Sequence, residues 1–104
     1  MNQQVMLRKI KKMQEEMLQT QREIEETVFK ASAGGVVTVE MYGTKELKAV
    51  IIDESFEAEG KEDYDMLSDM IVAAAKEASK QVDKVTSEKM AKYNALAGGF
   101  GGLF

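Results

Sequence analysis

The 104 residues contain no cysteine and no histidine, and these two absences remove much of the chemistry open to a small domain. Without cysteine there is no disulfide framework, which is compatible with a reducing cytoplasm. Without histidine, neither a Ser-His-Asp or Cys-His nucleophile pair nor a His/Cys zinc site can be assembled. Long apolar runs are missing as well, and none approaches the ~20 residues that a membrane span requires. The opening stretch, MNQQVMLRKIKKM, lacks the apolar core and small-residue cleavage site of a secretory signal. The expectation is a small, soluble, cytoplasmic chain that is not an enzyme and uses no cofactor, metal or small-molecule substrate.

Carboxylates are what remains for chemistry, and the acid-rich segment DESFEAEGKEDYD (53–65) invites comparison with a calcium loop. The comparison fails. Counting from Asp53, the position that must turn sharply on glycine is Ala58, and the position that needs a bidentate glutamate is Tyr64. A solvated acidic loop that caps the following helix accounts for the segment.

Residues 3–26 lack glycine and proline and are rich in Gln, Glu, Lys and Met, all good helix formers. Met6, Ile10, Met13, Met17 and Ile24 trace one narrow apolar stripe, close to a heptad seam. A helix of that length runs about 36 Å, further than a small sheet can cover. Its stripe packs either on the chain's own second helix or on a partner subunit. The β-branched and aromatic residues that follow give a first strand from Thr27 to Ser32, a second from Val36 to Tyr42 and a third from about Glu46 to Asp53. Gly34, Gly35 and Gly43 fit the positive φ of tight turns. Alternation groups Phe29, Ala31, Val37, Val39, Met41, Leu47, Ala49 and Ile51 toward one apolar surface. The opposite side then carries Val36, Val50 and Ile52, which a second copy of the chain would cover.

From Asp63 to about Tyr93 the helical period returns, with Leu67, Ile71, Ala74, Ala78, Val82 and Val85 as its stripe. Glu62, Asp63 and Asp65 sit at its start, where carboxylates favour the helix dipole. The expected layout is one domain over residues 1–95 and a flexible glycine-rich tail over 96–104, whose Phe100, Leu103 and Phe104 fray.

Charge is unevenly spread. Residues 1–12 hold Arg8, Lys9, Lys11 and Lys12 and no acid, a local charge of +4. Residues 53–69 hold eight acids against Lys61 alone, a charge of −7, within a chain of net −4. Lys76, Lys80 and Lys84 recur at steps of four along one side of the second helix, with Glu77 and Asp83 close by to pair with. Clustered cations at a helix end suit contact with nucleic-acid phosphates, and the alternative is a solvated, salt-bridged helix. A pI near 4.9 lies far from the basic domain usual for a DNA binder.

The order of the elements adds to this. A Met/Gln/Lys-rich first helix (LRKIKKMQEEMLQTQREIEE) leads to a Ser-x-Gly-Gly turn, an alternating strand VVTVEMYG and a strand LKAVIID. An acidic loop and the helix DMLSDMIVAAAKEASKQVDKVTSEKM follow. Over about residues 6 to 92 this resembles the YbaB/EbfC family of bacterial nucleoid-associated proteins. The sequence departs from the family pattern at Tyr42, where Met-Asn-Gly is usual, and at Lys76-Glu77, where the family has Phe-Asn. Glycines replace its proline-containing tail. The resemblance implies an α+β fold with a long N-terminal helix, a three-stranded antiparallel sheet and a long C-terminal helix (α-β-β-β-α). It also implies a homodimer joined through the sheet region, with protruding helical arms that bind duplex DNA at modest sequence preference. By position, Arg8, Lys9, Lys11 and Lys12, together with Lys89 and Lys92, match the family's DNA-contacting region. A different class of function, a dimeric module whose Met-rich arms grip another protein, is kept open by the adaptable methionine stripe and the acidic balance.

Overall fold

The computed structural model describes residues 2–99 and orders them α1 (Gln3–Glu26), β1 (Val28–Ala33), β2 (Val37–Tyr42), β3 (Leu47–Ile52) and α2 (Lys61–Gly99). Asn2 caps α1, its side-chain oxygen accepting from the Val5 N–H at 2.9 Å, as a short polar side chain does for an unpaired donor in a first turn. The helix stops where the sequence turns β-branched. The Thr27 hydroxyl donates to the Glu23 carbonyl, and the Thr27 N–H caps Glu23 and Ile24.

The three strands form one antiparallel sheet in the order β1-β2-β3. Between β1 and β2, Gly34 and Gly35 both take positive φ (61° and 67°) and the Val36 N–H closes on the Ala33 carbonyl at 3.2 Å, the dihedral signature of a primed hairpin turn. The β2–β3 turn works differently from the expectation. Its positive φ, 71°, belongs to Lys45 and not to Gly43. Gly43 is required for space: a Cβ there would meet the Ile24 carbonyl oxygen at 1.9 Å.

Directly opposite residues share a sheet face, and the register pairs Val39 with Val50 and Val37 with Ile52. A bulge at Lys48 then lets Leu47 pair with Met41. Val50 and Ile52 therefore lie on the same side as the core residues Val37 and Val39, while Ala49 and Ile51 lie on the other side with Glu40 and Thr38. Val36, half-buried, packs against the core cluster. The expectation that Val36, Val50 and Ile52 face away from the core is thus corrected: for Val50 and Ile52 because alternation counted from Leu47 takes no account of the bulge, and for Val36 because it lies in the turn before β2 and packs on the core. The outer face is polar where strands pair: Lys30 bridges Glu40 at 3.4 Å, and the Ser32 and Thr38 hydroxyls meet at 2.9 Å.

Helix α2 crosses the inner face over β1 and β2. Ala74 and Ala78 are fully buried and let its backbone approach closely, and Val82 completes the core with Phe29, Ala31, Val37, Val39 and Met41. Strand β3 is left largely bare, with Leu47, Val50, Ile51 and Ile52 between 40% and 51% exposed. Beyond the sheet α2 continues alone, and α1 packs along it through a second cluster of Ile24, Met90 and Tyr93 with Met17. The lower part of the α1 stripe is thus covered by the chain's own second helix, and Met6 near the other end is 44% exposed. Helix α2 runs six residues past the expected Tyr93, through Gly98 and Gly99, so residues 96–99 of the expected tail are helical. Phe100, Leu103 and Phe104 lie outside the described residues. The molecule measures 72 × 19 × 15 Å with a radius of gyration of 20.2 Å, against about 13 Å for a compact chain of this length. Among the described residues no helix is long and apolar enough to cross a membrane.

Candidate nucleic-acid interface

The arm is an antiparallel helix pair. The Thr20 hydroxyl meets the Tyr93 hydroxyl at 3.2 Å, and Gln21, Ile24, Glu25 and Gly43 gather around Thr86. Because both helices rise about 1.5 Å per residue, α1 passes the level of Gly99 near Gln14. Its first three turns therefore project beyond the described end of α2.

Those turns carry the basic cluster. At 100° per residue, Arg8, Lys9, Lys11 and Lys12 fall within an arc of roughly 160°, on the side of α1 away from Met6, Ile10, Met13 and Met17. All four are exposed. The ion pairs among the described residues are Lys30–Glu40 and Lys45–Asp83, so none of the four cations is spent on a carboxylate there. Further down α1 the sign reverses: residues 13–26 hold Glu15, Glu16, Glu23, Glu25 and Glu26 against Arg22. The cationic surface is confined to the tip.

The structure does not bring Lys89 and Lys92 into this cluster. Both are exposed, but on α2 level with Ile24 and Gln21 of α1, about 14–24 Å along the arm from Lys12 and Arg8. The Lys92 ammonium lies 4.8 Å above the Tyr93 ring, within cation–π reach. A salt-bridged helix, with Lys80 and Lys84 pairing to Glu77 and Asp83, is the alternative to phosphate contact. Instead Asp83 binds Lys45 across to the sheet hairpin at 2.8 Å, and the three lysines make no ion pair among the described residues.

The acids of residues 53–65 serve turn and cap. The Ser55 hydroxyl and N–H both donate to the Asp53 carboxylate and hold its pKa below the usual value, the hydroxyl contributing more. The Asp63 carboxylate accepts from the Glu59 N–H at 2.8 Å and so reaches back over the start of α2. Among the described residues no group of three acids is placed to hold a metal ion.

What the arm rests on was not visible in sequence: the Gly43–Ile24 backbone contact and the Thr20–Tyr93 hydroxyl pair fix α1 to the sheet and to α2. A glycine at a strand end and a tyrosine late in a helix are ordinary signals, and only the fold joins them to residues so far away in the chain.

The model of the YbaB/EbfC DNA-binding family matches residues 1–97. A nucleoid-associated protein of Saccharopolyspora erythraea is 37% identical over 103 residues, covering 98% of this chain and 87% of that one. The nucleoid-associated protein YaaK of Bacillus subtilis is 45% identical over 69 residues, 66% of this chain and 63% of the relative. Among solved structures, the uncharacterized protein HP0035 from Helicobacter pylori superposes with a TM-score of 0.65 at 24% identity, covering 92% of this chain and 98% of that one. That likeness establishes the α-β-β-β-α fold in a crystal structure. With the family match spanning nearly all of the chain, this protein belongs to the YbaB/EbfC family of nucleoid-associated DNA-binding proteins.

Proposed function

We propose that the protein acts as a homodimer on the nucleoid, in the cytoplasm, gripping duplex DNA through the tips of two α1 arms and altering its conformation with little sequence preference. The observation that carries this reading is the segregation of four exposed cations, without an ion-pair partner among the described residues, on the turns of α1 beyond the described end of α2, facing away from the apolar stripe. Such a surface neutralises phosphates without reading base edges, because lysine and arginine clusters on a convex helix face track charge and not hydrogen-bond pattern. Lys89 and Lys92 add contacts only to a duplex that also lies against the lower arm.

The second copy joins at β3. An edge strand with unpaired backbone groups and a row of half-exposed Leu47, Val50 and Ile52 is a surface that another chain covers. Val36, packed at the start of β2, borders it.

The test is fluorescence-anisotropy titration of a labelled random-sequence duplex against salt. Each neutralised phosphate contributes about −0.9 to the slope of log K against log salt. One arm of four cations gives a slope near −3.6, and two arms near −7. Between 50 and 200 mM salt these correspond to losses of about 150-fold and about 20,000-fold. Replacing Arg8, Lys9, Lys11 and Lys12 together by Ala should abolish most of the slope with the fold intact by circular dichroism. An unchanged slope in that variant removes the tip from the interface. No binding by the wild type at low salt removes the DNA-gripping reading itself.

A further inference from the structure

Helix α2 has an outer face that neither the sheet nor α1 covers. The sheet takes the side of Ala74, Ala78 and Val82, and α1 begins to pack only at Thr86, Met90 and Tyr93. Between Glu62 and Lys84, the residues Glu62, Asp65, Met66, Asp69, Val72, Ala73, Lys76, Lys80, Asp83 and Lys84 fall within an arc of roughly 120° on that open side, and all are exposed. Val72, a β-branched apolar residue, is 51% exposed at its centre.

The order of charges on this face is the informative feature. Three acids occupy the first half; three lysines occupy the second, together with Asp83, which Lys45 of the sheet hairpin already engages. Along this face Asp65 and Asp69, Lys76 and Lys80, and Lys80 and Lys84 are like charges one turn apart, while the opposite charges at that spacing, such as Lys80 and Asp83, form no ion pair among the described residues. None of these six groups has an ion-pair partner among the described residues. Set against its own antiparallel copy about a two-fold axis between Val72 and Ala73, the same pattern becomes complementary. Asp69 then stands opposite Lys76 of the partner subunit and Asp65 opposite the partner's Lys80; Glu62 falls opposite the partner's Asp83, a carboxylate that Lys45 of its own chain engages, and one residue from the partner's Lys84, with every pair repeated by symmetry. The small Ala73 and the exposed Val72 meet on the axis, where close approach and apolar burial help most.

We infer that the outer face of α2, from Glu62 to Lys84, is a docking surface for a second copy of this chain in antiparallel orientation. It is a self-complementary contact of the kind a two-fold axis demands, and it is separate from β3 and from the arm tips. Duplex DNA is the competing occupant of the three lysines, but it leaves Glu62, Asp65 and Asp69 unexplained and sets them against phosphates.

Because the chain has no cysteine, a single introduced thiol reports the contact. Val72→Cys, mildly oxidised without DNA, should give a disulfide-linked pair in at least ten-fold higher yield than the exposed control Ser87→Cys, and salt should lower that yield. Adding Lys76→Glu and Lys80→Glu to Val72→Cys should bring the yield down to the control. Mixing that chain with one carrying Asp65→Lys, Asp69→Lys and Val72→Cys should restore it, since the two altered faces are again complementary. Sedimentation of the chains without the thiol should show the same loss and recovery. Equal cross-linking at Val72→Cys and Ser87→Cys overturns the inference, as does failure of the mixture to recover. If Lys76→Glu with Lys80→Glu weakens DNA binding and leaves cross-linking unchanged, the lysines serve phosphates and the inference is likewise overturned. None of these outcomes depends on whether the arm tips bind DNA.

Discussion

Gly43→Ala isolates the joint on which the arm depends. The added Cβ would sit 1.9 Å from the Ile24 carbonyl oxygen and 2.5 Å from its carbon, where ordinary contact begins at 3.4 Å, so the two backbones must part by about 1.5 Å. Neither side is a flexible side chain that can swing away. Parting them breaks the hydrogen bond from the Gly43 N–H to the Thr27 carbonyl, now 3.2 Å, which contributes about 1 kcal/mol. It also draws Ile24 off Met90 and Tyr93, and partial loss of so buried an isoleucine costs about 1–3 kcal/mol. A total of about 2–4 kcal/mol lowers the melting temperature of a domain this size by roughly 10–25 °C. Circular dichroism melts and urea titrations measure it. Gly35→Ala is the comparison: a Cβ there meets nothing within 4 Å, but φ is 67°, so only the left-handed conformation is penalised, at about 1–2 kcal/mol. If Gly43→Ala is no more destabilising than Gly35→Ala, the close approach is not what positions α1, and the argument for a fixed arm fails.

Two other perturbations follow from the sheet. Lys45 holds a left-handed φ of 71° and an exposed ion pair to Asp83. Lys45→Gly should stabilise the fold by up to about 1 kcal/mol, since the strain relieved exceeds the 0.2–1 kcal/mol roughly assigned to an exposed pair; a loss of stability in urea would mean that the Asp83 contact dominates. Ile52→Lys places a charge on the bare β3 row without entering the α2-covered core, so it should leave circular dichroism unchanged while sedimentation shows a smaller species. A variant that sediments like the wild type would rule this strand out as the surface a second copy covers.

Much of the architecture is legible in the sequence because it is periodic. The steps from Leu67 through Ala74 and Ala78 to Val82 mark the face of α2 that the sheet buries, and the strand limits fall within a residue or two of those observed. Periodicity fails where the chain breaks its own count. Lys48 inserts one residue into β3, so a strand read by strict alternation has Val50 and Ile52 on the wrong side. Gly43 looks like a turn glycine in the sequence, because local sequence cannot reveal that a helix end presses on it. The Asp83–Lys45 pair joins α2 to a hairpin, whereas a helix-wheel argument sees only neighbours three or four residues away. Gly98 and Gly99 remain helical in spite of their low propensity, and the sequence alone reads them as the start of a tail. The four cations of the tip were visible because they are adjacent in sequence. Their separation from Lys89 and Lys92 required the antiparallel register of the arm.

That separation bears on how an acidic chain can approach DNA at all. Net charge of −4 and a pI near 4.9 argue against it if charge is averaged. The fold does not average it. Counting helix rise along α2 and past its described end, the tip cations at residues 8–12 stand about 50–65 Å from the acids at residues 62–69. At physiological salt the screening length is about 8 Å, so those acids contribute almost nothing to the field at the tip. The acids of the lower half of α1 are nearer, and Glu15 and Glu16 lie one turn below Lys11 and Lys12. They set the limit of the cationic surface, and a duplex drawn further down the arm would meet carboxylates. The same geometry that makes an acidic protein competent to contact phosphates also confines the contact to the end of the arm.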